Sequence, residues 1–132
     1  MQPQKTIRVL IADDSPTALR SVRDYLEFAG GFEVVGTATD GLHAVQLASV
    51  HRPDLVLLDL SMPRVNGLEA AEQIRLSSPD LRVIIFSELY GLSLADECVR
   101  HGADSFLHKS LLPDQLLPEI ERLFPKAKSA AQ

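Results

Sequence analysis

The chain contains one cysteine, no tryptophan and few aromatic residues, 5% in all. A single thiol, Cys98, cannot close an internal disulfide, so no cross-link substitutes for a core and a reducing compartment is expected. With aromatics scarce, the core has to be assembled mainly from Val, Ile, Leu and Ala. No apolar stretch approaches the roughly 20 residues needed to cross a bilayer. The opening MQPQKTIRVLIADD runs from a brief apolar segment straight into acids, unlike a signal peptide. A cytoplasmic domain without membrane contact is the expectation. Basic residues are also short, 13 against 18 acidic, for a net charge of −5. That argues against a nucleic-acid grip by this domain itself, since clustered Lys and Arg are needed for one. His43, His51, His101 and His108 show no metal-ligand spacing and are expected as surface or capping residues.

What is present is order of a particular kind. The 132 residues, 45% hydrophobic and 23% charged, suit one domain with one core. Short apolar runs occur at 7–12 (IRVLIA), 32–38 (FEVVGTA), 54–60 (DLVLLDL), 82–87 (RVIIFS) and 105–108 (SFLH). Three of them are nearly continuous Val, Ile and Leu, the pattern of strands covered on both faces. Between them the period becomes helical. Ala18, Leu19, Val22, Tyr25, Leu26 and Ala29 form one stripe, entered through Ser15-Pro16 and ended by Gly30-Gly31. Asp40 is placed to cap a second helix carrying Ala44, Val45 and Ala48, and Asp54 and Asp80 also open or cap elements. Leu68, Ala71 and Ile74 line a third helix, closed by Ser77-Ser78-Pro79. Leu94, Ala95, Cys98 and Gly102 mark a fourth, with Cys98 expected to pack rather than react. Leu116, Leu117, Ile120, Leu123 and Phe124 mark the last, which Pro118 should kink or force to start late. Five strands alternating with five helices predict a parallel α/β sheet over residues 1–124, followed by a loose tail at 125–132.

Right-handed crossovers put all strand C-termini on one edge, where open α/β sheets bind ligands. Asp13 and Asp14 end the first strand, Asp59 the third and Ser87 the fourth, and Lys109 follows the fifth. Each alone has an ordinary reading: a capping acid, a turn serine, a solvated lysine. Together on one edge they are far more specific. In the order 2-1-3-4-5, the three acids meet, Ser87 lies roughly 5 Å away and Lys109 roughly 10 Å, within reach of a long side chain. Converging carboxylates without His or Cys suit a hard cation, and Mg²⁺ fits best. Asp14, Asp59 and a backbone carbonyl would be direct ligands, with Asp13 acting through water. Asp59 is then a carboxylate nucleophile for phosphorus, with Lys109 and Ser87 holding the phosphoryl oxygens.

The motifs VLIADDSP at 9–16, LVLLDLSMPRVNGLE at 55–69, VIIFS at 83–87 and FLHKS at 106–110 resemble the receiver domains of two-component response regulators, over about residues 6–124. The resemblance implies the flavodoxin-like, CheY-like three-layer fold with sheet order 2-1-3-4-5. It implies that Asp59 accepts phosphate from a sensor histidine kinase, a phosphotransfer protein or a small phosphodonor. Asp13 and Asp14 match the metal pair, and the carbonyl of Ser61 matches the third protein ligand. Ser87 and Phe106 match the switch pair that reshapes the surface of helix four, strand five and helix five toward an output partner or domain. Such a domain is a switch rather than an enzyme. RPDLVLLDLSMPRVNGLEAAEQIR is phrased like receivers that precede a helix-turn-helix.

Three residues depart from the family pattern. Glu88 stands where a small residue is usual and is expected to crowd the phosphate entrance or slow the Ser87 movement. Ser110 replaces a proline usually joined by a cis bond, so a trans bond and a displaced Lys109 are expected. Phe106 lacks the hydroxyl of the tyrosine in many relatives. Two other readings compete: a haloacid-dehalogenase-like phosphatase, disfavoured by the adjacency of Asp13 and Asp14, and a degenerate receiver that only binds protein. The apolar segment Leu89, Tyr90, Leu92 and Leu94 is a candidate surface for a partner or a homodimer.

Overall fold

The computed structural model describes residues 6–89 and 91–125; the expected loose tail, apart from Pro125, and Tyr90 lie outside them. In chain order the elements are β1 (Ile7–Ala12), α1 (Pro16–Ala29), β2 (Phe32–Ala38), α2 (Gly41–His51), β3 (Leu55–Asp59), α3 (Gly67–Ser77), β4 (Arg82–Ser87), α4 (Leu92–Arg100), β5 (Ser105–His108) and α5 (Leu112–Leu123). All sheet pairings are parallel, in the order β2-β1-β3-β4-β5. The alternating runs predict the parallel sheet, and the flavodoxin-like, CheY-like order is the one the resemblance implies. No described helix is long and apolar enough to cross a membrane.

The continuous apolar strands are explained by burial on both faces. One face carries Leu10, Val56, Leu58, Val83 and Ile85 against Ala44, Ala48, Ala70, Ala71, Ile74 and Cys98 of α2, α3 and α4. The other carries Val9, Ile11, Leu55, Leu57, Ile84 and Phe86 against Leu19, Val22, Leu26, Leu116 and Ile120 of α1 and α5. β2, at the edge, is half-buried along most of its length, as its mixed composition requires. Cys98 is fully enclosed, and burial followed by the charge of Glu97 pushes its thiol up to about 11, which leaves it a packing residue.

The helix entries follow their residues. Ser15, Asp40 and Asn66 each accept a backbone N–H in the first turn of α1, α2 and α3. Asp54 accepts instead from the N–H of Arg8, tying the start of β3 to β1. Arg75 donates to the carbonyls of Leu81 and Gly102 and pairs with Asp104 at 2.6 Å, which fixes the far end of β4 and β5. Four expectations need correction. α5 starts early, at Leu112 with Pro113 in its first turn, and runs on through Pro118, whose ring is exposed. α4 ends at Arg100, so Gly102 lies beyond it with a positive φ of 110°. Ala29 is exposed rather than part of the α1 stripe. β3 is shorter than the 54–60 run, because Leu60 leaves the ladder while keeping its N–H bonded to Phe86.

Gly67 is a point of close approach: a Cβ there would lie 2.5 Å from the carbonyl oxygen of Asp59 and 2.8 Å from Cα of Leu60. Both neighbours are backbone and cannot swing aside. Gly67→Ala is therefore expected to cost about 1–3 kcal/mol in urea unfolding, and an unchanged midpoint would contradict the close packing of α3 on the end of β3.

Candidate functional site

The sheet ends its strands on a set of polar side chains set into apolar walls. Asp13 directly follows β1, Asp59 is the last residue of β3, Ser87 the last of β4, and Lys109 follows β5. Asp13, Asp59 and Ser87 are all buried, whereas Asp14 and Ser61 are exposed. The strand bodies are apolar, so these groups can only face the open edge.

Lys109 reaches the centre. Its Nζ lies 2.8 Å from Oδ2 of Asp13 and 3.4 Å from Oδ2 of Asp59, and 5.6 Å from the centre of the Phe86 ring. The described residues contain no cis peptide bond, so Lys109-Ser110 is trans as expected, and from this loop Lys109 still reaches Asp13 and Asp59. A turn of 3-10 helix over Lys109–Leu111 absorbs the change of direction instead. Oδ1 of Asp13 accepts the N–H of Ser15, and Oδ1 of Asp59 accepts the N–H of Ser61 at 3.3 Å. Oδ2 of Asp13 has the ammonium beside it but no well-aligned hydrogen bond, an uncommon state for a buried carboxylate oxygen.

These contacts set the charges. Burial, then the neighbouring Asp13 charge, raises the carboxyl of Asp59 from 3.8 to about 6, with Lys109 pulling the other way. Burial alone would discharge Lys109, but its close approach to Asp13 and the attraction of both aspartates outweigh that and raise its pKa. Carboxylate oxygens of Asp13, Asp14 and Asp59 lie within 4.8 Å of one another. Oxygens around one Mg²⁺ sit roughly 3–4 Å apart, so small side-chain shifts would close this set on a hard cation. The donors are all oxygen, and exposed Asp14 leaves room for water ligands. Asp14, Ser61, Met62, Pro63 and Asn66 also border an open depression of about 570 Å³ beside the acids.

The other expected residues fall as follows. The hydroxyl of Ser87 accepts the N–H of Leu89 at 2.9 Å. Glu88 is exposed, and Phe106 packs half-buried against the α4 side of the sheet. Leu89 and Leu92 are largely exposed, at 59% and 86%, while Leu94 packs partly into the core. Two participants were not legible in the sequence. Phe86 is one, since an apolar residue inside a strand gives no hint of lying under a lysine. His108 is the other: it caps the N–H of Ser110, in line with a capping role, but its second nitrogen also reaches the carbonyl of Glu88 at 2.8 Å.

Fold and site together define a receiver domain. The family model for the response regulator receiver domain matches residues 9–121, and the chain belongs to that family. It is 34% identical over 122 residues to the nitrate/nitrite response regulator NarL of Escherichia coli, covering 92% of this chain and 56% of NarL. It thus spans about half the length of that relative. It is 31% identical over 116 residues to the chemotaxis protein CheY of Thermotoga maritima, covering 88% of this chain and 96% of CheY. Among solved structures, a chain of the CheX–CheY–BeF3–Mg²⁺ complex from Borrelia burgdorferi matches with a TM-score of 0.84 at 31% identity, over 89% of each chain.

The raised Asp59 carboxyl carries a linkage consequence. Between 3.8 and about 6 the folded protein binds more protons than the unfolded chain, so Asp59 costs stability as pH rises through that window. Asp59→Asn is expected to stabilise the metal-free protein at pH 7 by about 1–3 kcal/mol, with the gain fading near pH 4. A variant no more stable than the parent at pH 7 would contradict the crowding of charge.

Proposed function

We propose that this domain accepts a phosphoryl group on Asp59, in a Mg²⁺-dependent reaction, from a sensor histidine kinase, a phosphotransfer protein or a small phosphodonor. The observation that carries the reading is Asp59 buried at the end of β3, with Lys109 at 3.4 Å and the carboxylates of Asp13 and Asp14 beside it. Asp14, Asp59 and the carbonyl of Ser61 are the direct metal ligands in this reading, with Asp13 acting through water. A Mg²⁺ held there would offset the negative charge of both the acids and the incoming phosphoryl oxygens.

The chain's own residues do the rest. Asp59 supplies the nucleophilic oxygen, which attacks phosphorus as the donor's bond to it breaks. Lys109, kept charged by the aspartates, pairs with a phosphoryl oxygen. The hydroxyl of Ser87 leaves the N–H of Leu89 and turns onto the phosphoryl group. Phe106 then moves inward along β5 and reshapes the surface of α4, β5 and α5, where exposed Leu89 and Leu92 offer apolar area to an output partner, an output domain or a second copy. The domain acts in the cytoplasm as a switch, not as a turnover enzyme, and holds no nucleic acid itself.

A degenerate receiver that only binds protein is the second reading, kept by Glu88 and Ser110. Incubation with acetyl phosphate and Mg²⁺, read by intact mass, separates the two. One phosphoryl adduct is expected on the parent, and none without Mg²⁺ or in Asp59→Asn. A parent chain that stays unmodified would leave only the protein-binding reading.

A further inference from the structure

Resting on the phosphoacceptor reading, we infer that His108 is a positioning residue. It latches the β4–α4 loop to the β5–α5 loop and so sets how readily Ser87 turns toward a phosphoryl group. Ser87 and His108 are register partners at the ends of β4 and β5. Ser110 meets Nδ1 of His108 with both its hydroxyl, at 2.7 Å, and its backbone N–H, at 3.2 Å. A backbone N–H can only donate, so Nδ1 is an acceptor and the ring proton sits on Nε2. Nε2 then donates to the carbonyl of Glu88 at 2.8 Å. One side chain thus bridges the residue after Ser87 and the residue after Lys109.

The bridge lies in the path of the switch. The hydroxyl of Ser87 is engaged by the N–H of Leu89 in this state, and turning it toward Asp59 leaves that N–H without its acceptor. That N–H must then find water or another acceptor, and the loop that carries it adjusts as it does so. The backbone that must move is 88–89, and Glu88 is the residue His108 holds. His108 and Phe106, two apart on β5, also share one face of the strand, so the latch and the switch aromatic move in the same layer. Ser110, which lacks the rigidity of a proline, supplies the other anchor through its hydroxyl and N–H. The latch therefore stabilises the state with Ser87 turned away, and its loss lowers the cost of switching.

The test uses beryllofluoride with Mg²⁺ as the phosphoryl mimic, with affinity measured by calorimetry for the intact chain, His108→Leu, His108→Gln and Ser110→Ala. Removing a single net hydrogen bond corresponds to about a fivefold change. His108→Leu is expected to bind about fivefold more tightly than the parent. His108→Gln, which can still donate to Glu88, should stay near the parent, and Ser110→Ala, which keeps the fold in any event, should shift in the same direction as His108→Leu by less. Equal or weaker binding by His108→Leu and Ser110→Ala, with thermal melts showing folded protein, overturns the latch while leaving the receiver reading intact. A parent chain that fails to bind beryllofluoride overturns both. Independently, ¹⁵N spectra of the metal-free parent should show the Nε2–H tautomer at His108, and an Nδ1–H ring would sink the latch alone.

Discussion

Two aspartates and a lysine share a water-poor edge of the sheet, and the unfinished charge balance among them governs what the domain can do. Burying charge is expensive, and an ion pair offsets that cost only when its geometry is good. Lys109 approaches both Asp13 and Asp59, yet with exposed Asp14 the cluster sets three carboxylates against one ammonium. Burial, then the charge of Asp13, raises the proton affinity of Asp59, and the remaining negative charge gives a divalent cation a reason to bind. A charge-complete cluster would be a structural staple; this one is left with negative charge to spare.

The sheet makes such a cluster tolerable. Residues of β1, β3 and β4 are packed from both sides, so the strand ends cannot drift to relieve the repulsion. Gly67 brings α3 against the carbonyl of Asp59, which holds the acceptor in place from behind. The loops after β4 and β5 meet through Ser87, Glu88 and His108. In the proposed reading, the packed end of β3 would fix the chemistry and the adjoining loops would report it.

Much of this was legible in the sequence, for a physical reason. Short continuous Val, Ile and Leu runs alternating with helical stretches read as doubly covered parallel strands, and parallel strands place their C-terminal residues on one edge. Asp13, Asp14, Asp59, Ser87 and Lys109 could therefore be grouped before any coordinates. What escaped depends on tertiary context. Pro118 sits in the interior of α5, where local rules favour a break, but packing of Leu116 and Ile120 keeps the helix continuous. Lys109 reaches both aspartates without a proline after it, a placement that charge attraction across the sheet edge favours and local sequence does not announce. The bridge made by His108 joins residues 20 apart in sequence and has no local signature.

The most direct measurement is chemical. Borohydride reduces an aspartyl phosphate to homoserine, and sequencing the reduced chain by tandem mass spectrometry locates it. After treatment with acetyl phosphate and Mg²⁺, homoserine is predicted at position 59 and nowhere else. Homoserine at Asp13 or Asp14 instead, or a stable phosphate on a serine or histidine, would contradict the account.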